Sequence, residues 1–199
     1  MAIDAKLVKE LREETGLPVM KCKQALTEVG GDKEKAKEVL RKQGMETAAK
    51  KSSRATKEGA VGAYVHFNNR VGVLVELGCE SDFVAKNEEF KQLLKDIAMH
   101  IAFADPVSVG RDEVPAELVE KEKEIYRAQV QEGGKKKPPE IVEKIVTGKL
   151  DKFFADKCLL DQPFYKDDKI KVSELLQQTV ARLGENIVVR KFSRMEVGR

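Results

Sequence analysis

The feature that most constrains this chain is a change of hydrophobic period between residues 45 and 61. Up to about residue 45 the apolar residues recur every three or four positions: Leu7, Val8 and Leu11, then Val19, Cys22, Leu26 and Val29, then Ala36, Val39 and Leu40. From Val61 to Leu77 they recur at every second position, in Val61, Ala63, Val65 and Phe67 and again in Val71, Val73, Val75 and Leu77. The first spacing lines one face of a helix and the second lines one face of a strand. One chain therefore has to supply both a helical bundle and a sheet.

The punctuation divides the helical part into three. Thr15 and Gly16 end the first helix, Pro18 opens the second, Gly30 and Gly31 stop it, and Asp32 offers an N-cap for the third. None of the three is long enough to be stable alone in water, so they must pack on one another. Residues 46–58, ETAAKKSSRATKE, carry no apolar stripe and read as a partly helical linker. This sets a boundary near residue 54, with a three-helix bundle of about 45 residues plus linker over 1–54 and an α+β core and dimerisation domain over 55–199.

In the core, a two-residue Asn68-Asn69 turn is expected to join the alternating segments as a hairpin, since Asn tolerates positive φ. Asn87, Glu88 and Glu89 make a helix start, and Phe90, Leu93, Leu94, Ile97, Ala98 and Ile101 form a stripe that ends near Pro106. Pro115 opens another helix running towards Gly133 and Gly134. The KKKPP segment breaks the chain before a helix over Glu140 to Thr147, and a further short helix is expected over Lys149 to Lys157. Asp161 to Asp168 reads as a polar loop, followed by a helix carrying Val172, Leu175, Leu176, Val180 and Leu183 that Gly184 stops. The tail from Ile187 to Met195 suits a closing strand that pairs with the hairpin. The predicted fold class is α+β, with an antiparallel three-stranded sheet packed against helices.

Several function classes are disfavoured by composition. No apolar run approaches the roughly 20 residues that cross a bilayer, and MAIDAKLVKELREE lacks a signal peptide's apolar stretch, so the expected location is the cytoplasm. The three cysteines, Cys22, Cys79 and Cys158, are far apart and outside any CxxC pair, which points to neither a disulfide framework nor a metal site. The net charge of +3, from 37 basic and 34 acidic residues, is interspersed rather than massed except around Lys50 to Arg54, and argues against direct nucleic-acid binding. With only two histidines, no nucleophile-base grouping stands out, and GGKKKPP lacks the GK[ST] ending of a phosphate loop. A thiol enzyme using Cys79 with His100 as base is the catalytic alternative, weighed against a small buried residue at a strand end. An adaptor that binds protein or RNA through the bundle alone is the other.

The connection CESDFVAKNEEF puts an acid and two apolar residues where a polar linker would do. In one interpretation Asp82 caps a turn while Phe83 and Val84 tuck into the core. In the other, the segment projects as a wedge for a partner.

LREETGLPVMKCKQAL (11–26), RVGVLVELGCESDFVAKNEEF (70–90), IAMHIAF (97–103), LLDQPFYKD (159–167) and GENIVVRKFSRMEVG (184–198) together resemble the bacterial translation elongation factor Ts family, in the family's order and over nearly the whole chain. The resemblance implies a non-catalytic guanine-nucleotide exchange factor that binds GDP-bound elongation factor Tu and promotes GDP release, with no cofactor or metal of its own. Ser81, Asp82, Phe83 and Val84 match the family's Thr-Asp-Phe-Val motif, which disturbs the partner's Mg²⁺ site, with Ser in place of Thr. The bundle resembles the family's ubiquitin-associated-like module, in which Leu11, Val19 and Met20 occupy matching positions, either as partner contacts or as plain core. His100 matches the second histidine of a His-Ile-Ala-Met-His run, whereas Asp96 stands where the first would be. A single hairpin, a single IAMHIAF and a single QPFYKD resemble the short form of the family, which implies a homodimer.

Overall fold

The computed structural model describes residues 3–132 and 138–198, so Gly133, Gly134 and the lysines of KKKPP lie outside the described residues. Helix α1 covers Ala5–Thr15, capped by Asp4 through Lys6 N and closed by Gly16 at φ 68°. Helix α2 covers Val19–Glu28 behind Pro18, and α3 covers Lys33–Lys51 behind Asp32, whose carboxylate accepts from Lys35 N. The first sheet is built from β1 (Glu58–Val65) and β2 (Val71–Cys79), after which come the single-turn helix α4 (Asp82–Ala85) and α5 (Glu88–Ala104). Then follow α6 (Ala116–Glu132), α7 (Pro139–Lys157), the short strands β3 (Pro163–Phe164) and β4 (Asp167–Lys171), α8 (Val172–Leu183) and β5 (Ile187–Glu196). The sheet is antiparallel with order β1-β2-β5, so the closing strand pairs with β2, and β3 and β4 form a separate ribbon. The α+β class is as the periodicity indicates.

The residues group into two compact units. One comprises Met1–Gly62, Val75–Asp96 and Glu174–Arg190, and the other Ala63–Leu74, Ile97–Ser173 and Lys191–Arg199.

In the first unit, Val8, Leu11, Leu17, Cys22, Ala25, Leu26, Ala36 and Leu40 form the core of the bundle, and Ala181 of α8 joins them. Gly44 of α3 is the close-approach point, since a Cβ there would sit 3.5 Å from that of Ala181. Helix α3 continues past residue 45 through Lys51, the helical part of the linker, because residues 46–51 contain no helix breaker before Ser52. Arg41 pairs with Glu174 at 2.6 Å, and Arg182 bonds Glu89.

The hairpin departs from expectation in two ways. Its connection is longer than two residues: Asn69 N–H donates to His66 O, His66 N–H donates to Val71 O, and Asn69 alone takes positive φ, at 56°. Strand β1 also shows its opposite face. Val61 and Val65 are exposed, while Ala60, Gly62 and Tyr64 alternate with them on the covered side. In the first unit the reason is steric, because a Cβ on Gly62 would meet Leu94 Cγ of α5 at 2.7 Å. The helix lies too close to that strand for a valine to fit beneath it. On β2 the expected residues Val73, Val75 and Leu77 are buried, as is the whole α5 stripe from Phe90 to Ile101.

In the second unit, α7 is one helix where two were expected. Gly148 at the proposed break adopts helical backbone, and the roughly 1 kcal/mol cost of an interior glycine is offset by burial of Val146 and Leu150 on either side. The polar loop 161–168 contains the β3-β4 ribbon, paired Pro163 to Lys171 and Phe164 to Asp167.

Candidate functional site

Strand β2 ends at Cys79, and two residues later Ser81 leaves the strand in extended conformation to cap α4. Ser81 Oγ accepts from Val84 N–H at 3.4 Å, Ser81 O accepts from Ala85 N–H at 3.2 Å, and Val84 O accepts from Asn87 N–H at 3.0 Å. These three bonds close one helical turn, and α5 begins at Glu88, shortly behind it. Helical geometry swings adjacent side chains about 100° apart, so Phe83 and Val84 cannot face the same way. Val84 is buried at 5% exposure and Phe83 is 78% exposed.

The capping and tucking interpretation thus fails in part. Ser81, not Asp82, is the N-cap, and Val84 but not Phe83 enters the core. Asp82 is exposed and pairs with Lys86 at 2.7 Å; that hydrogen bond holds its carboxyl below the usual range.

Behind the turn stands Glu185, which accepts from Ser81 Oγ at 2.6 Å, from Ser81 N–H at 3.0 Å and from Glu80 N–H at 3.1 Å. Glu80 in turn accepts from Asn186 N–H at 2.6 Å, which with nearby Arg54 keeps the Glu80 carboxyl below its ordinary range. The Asn186 amide donates to Ser52 O at 3.3 Å and Arg54 O at 2.9 Å. Sequence reasoning missed Glu185 and Asn186. Their signal was two hydrogen-bonding residues in a connection of three between an apolar helix and an apolar strand.

Cys79 is buried, and its thiol donates to Ser81 O at 3.1 Å. Desolvation and the nearby Glu185 charge push that thiol up, so it stays protonated, the opposite of what an attacking thiolate needs. His100 lies in the second unit at 1% exposure, with both ring nitrogens occupied, by Gln162 Oε1 at 2.9 Å and Tyr165 N–H at 3.3 Å. It is placed as a core residue with no surface to offer. Leu11 is likewise fully buried, whereas Val19 and Met20, side by side at the start of α2, are 47% and 72% exposed. Val19 thus leaves the stripe assigned to it, which Cys22 and Leu26 keep.

Among the described residues, no group of three His, Cys, Asp or Glu side chains is arranged to hold a metal ion, and no helix is long and apolar enough to cross a membrane. These features define an α+β protein with a helical N-terminal bundle and one aromatic side chain held outward on a clamped turn. The sequence profile of the family described as Elongation factor TS matches residues 23–199. Relatives named Elongation factor Ts include that of Thermodesulfovibrio yellowstonii, 54% identical over 198 residues and covering 100% of this chain and 98% of its own. That of Fervidobacterium nodosum is 53% identical over 198 residues, covering 100% of both, and one from an Anaeromyxobacter species is 57% identical over 196 residues, covering 98% and 89%. The chain belongs to the elongation factor Ts family.

Proposed function

We propose that this protein is a guanine-nucleotide exchange factor that acts in the cytoplasm. It binds GDP-bound elongation factor Tu, disturbs the Mg²⁺ site beside the nucleotide and promotes GDP release, so that GTP can bind. No bond is made or broken. The observation that carries the reading is Phe83, an aromatic side chain 78% exposed on a turn whose neighbours on both sides are fixed. Asp82 stands beside it on the surface, while Ser81 and Val84 act from within by closing the turn and anchoring it.

The physical route is short. Mg²⁺ requires near-ideal octahedral geometry at about 2.0–2.1 Å, so a rigid apolar wedge that shifts its surroundings loosens both the metal and the diphosphate. Binding free energies are reciprocal, so a factor that weakens GDP must itself be weakened by GDP in the same ratio. Exchange then runs through a transient ternary complex. The bundle over residues 1–54 is the second grip, with Val19 and Met20 as its exposed apolar pair; direct nucleic-acid contact has no role. The core over 55–199 pairs two copies, a reading supported by Val65, Phe67, Leu74, Met195 and Val197, all large apolar side chains exposed in the second unit.

The test is release of fluorescent GDP from elongation factor Tu with and without this protein. Acceleration that saturates with protein concentration is expected, and no acceleration at saturation ends the reading. Sedimentation of the intact chain tests the pairing, a single monomeric species being the outcome against it.

A further inference from the structure

We infer that Glu185 is the positioning residue for the Phe83 turn, an inference that rests on the exchange reading above. Helix α8 is stopped by Gly184 in the left-handed region, at φ 79°, and the chain turns back through Glu185 and Asn186 into β5. At that reversal the Glu185 carboxylate collects three hydrogens from two successive residues of another segment. Oε2 takes the N–H groups of Glu80 and Ser81, and Oε1 takes the Ser81 hydroxyl hydrogen. Hydrogen bonds to an ionised acceptor are roughly twice as strong as neutral ones.

The hydroxyl is the link to Phe83. A serine Oγ has one hydrogen and two lone pairs. With its hydrogen committed to Glu185, a lone pair is left to accept from Val84 N–H, the bond that closes the turn. Glu185 therefore sets the Ser81 rotamer, Ser81 caps α4, and α4 fixes the direction in which Phe83 leaves the surface. The following residue completes the clasp from the same reversal, as Asn186 N–H bonds the Glu80 carboxylate. Glu185 touches no partner; it acts through Ser81.

A positioning group and a contact group fail differently. Without the carboxylate, only a fraction of molecules hold the presenting turn. Apparent affinity falls by that fraction, while the contact made once bound is unchanged. Glu185→Ala is accordingly expected to raise the half-saturating concentration for GDP release from elongation factor Tu about tenfold, with the maximal rate preserved. Glu185→Gln should return it to within about threefold of the unaltered protein, because its amide oxygen can take the two N–H groups while its NH₂ donates to Ser81 Oγ. Backbone amides of residues 80–85 should exchange hydrogen faster in Glu185→Ala and at the normal rate in Phe83→Ala.

If Glu185→Ala does not fold, Glu185→Asp supplies the test, since the shorter side chain reaches fewer of the three donors and should raise the same concentration several-fold. An unchanged half-saturating concentration in the folded variant, or a lowered maximal rate without rescue by Gln, overturns the inference while leaving the exchange reading intact. No stimulation by the unaltered protein overturns the exchange reading, and the inference with it.

Discussion

The turn around Phe83 and the cluster around His100 are both dense polar networks built about one ring, and they treat the ring in opposite ways. At the turn, every hydrogen bond goes to the scaffold, from Glu185, Ser81 and the backbone, and the ring itself is left outside. In the cluster the bonds go to the ring. Gln162 Nε2 donates to Asp156 O at 2.7 Å and Ala104 O at 3.3 Å, which turns its oxygen towards His100 Nε2. That assigns the imidazole hydrogen to Nε2 and leaves Nδ1 to accept from Tyr165 N–H. A ring that is the hub of its network holds the fold together, and a ring that its network merely supports is free to meet a partner.

The widest gap between the two regions is expected from Phe83→Ala. Buried aromatic anchors of protein interfaces cost about 2 kcal/mol or more on truncation, so exchange efficiency should fall about thirtyfold or further. Stability should stay within about 0.5 kcal/mol, as for other surface substitutions. Parallel measurement of GDP release and urea unfolding decides it: a variant that unfolds early would place Phe83 in the core and erase the contrast.

Gln162→Ala should produce the reverse pattern. It strips His100 Nε2–H of its partner in a buried setting and Ala104 O and Asp156 O of theirs in a partly buried one, and an orphaned buried group costs about 1–3 kcal/mol. A loss of about 3 kcal/mol in unfolding free energy is expected, with unchanged exchange per folded molecule. A loss below about 1 kcal/mol would mean that water satisfies those groups and that the cluster is no hub.

Acidification should separate the regions more finely. Burial disfavours the charged imidazolium, so His100 titrates below its ordinary value in the folded protein, only partly offset by Gln162. The unfolded chain then binds the extra proton first. Stability from this group is full above the unfolded value near 6.5 and falls as pH drops through the folded value. Unfolding free energy followed by urea from pH 7.5 to 5 should decline more steeply in the unaltered protein than in His100→Asn. Equal slopes would show that His100 contributes nothing to the decline.

How much of this was legible in the sequence depended on whether one neighbour or many decided the outcome. The α5 stripe and the Asp32 and Gly16 caps were readable because each follows from residues within a turn of one another. The face of β1 was not, since Val61 and Val65 are strand-formers on either side of a sheet and only the approach of Leu94 to Gly62 chooses. The continuity of α7 through Gly148 likewise rests on burial of its flanks rather than on local propensity. At the site, CESDFVAKNEEF announced an unusual connection but not which apolar residue it exposes. That choice lies in Ser81 capping, and the capping lies with Glu185, 104 residues away in sequence.

The smallest effect concerns the charge beside the wedge. Asp82 and Lys86 form an exposed pair one helical turn apart, the lysine pKa raised and the aspartate pKa lowered chiefly by their shared hydrogen bond. Such surface pairs contribute little and are screened by salt. Lys86→Ala should therefore leave melting unchanged and alter exchange by less than about twofold at physiological salt, while the Asp82 carboxyl, followed by NMR titration, moves back towards its ordinary range. Asp82→Asn removes the charge but keeps the shape. If Asp82 meets the partner as a carboxylate, this variant slows exchange and Lys86→Ala does not, because loss of the lysine leaves the charge in place. Should both variants slow exchange equally, the ion pair itself is what the partner recognises, and the contact surface extends from Phe83 along the turn to residue 86.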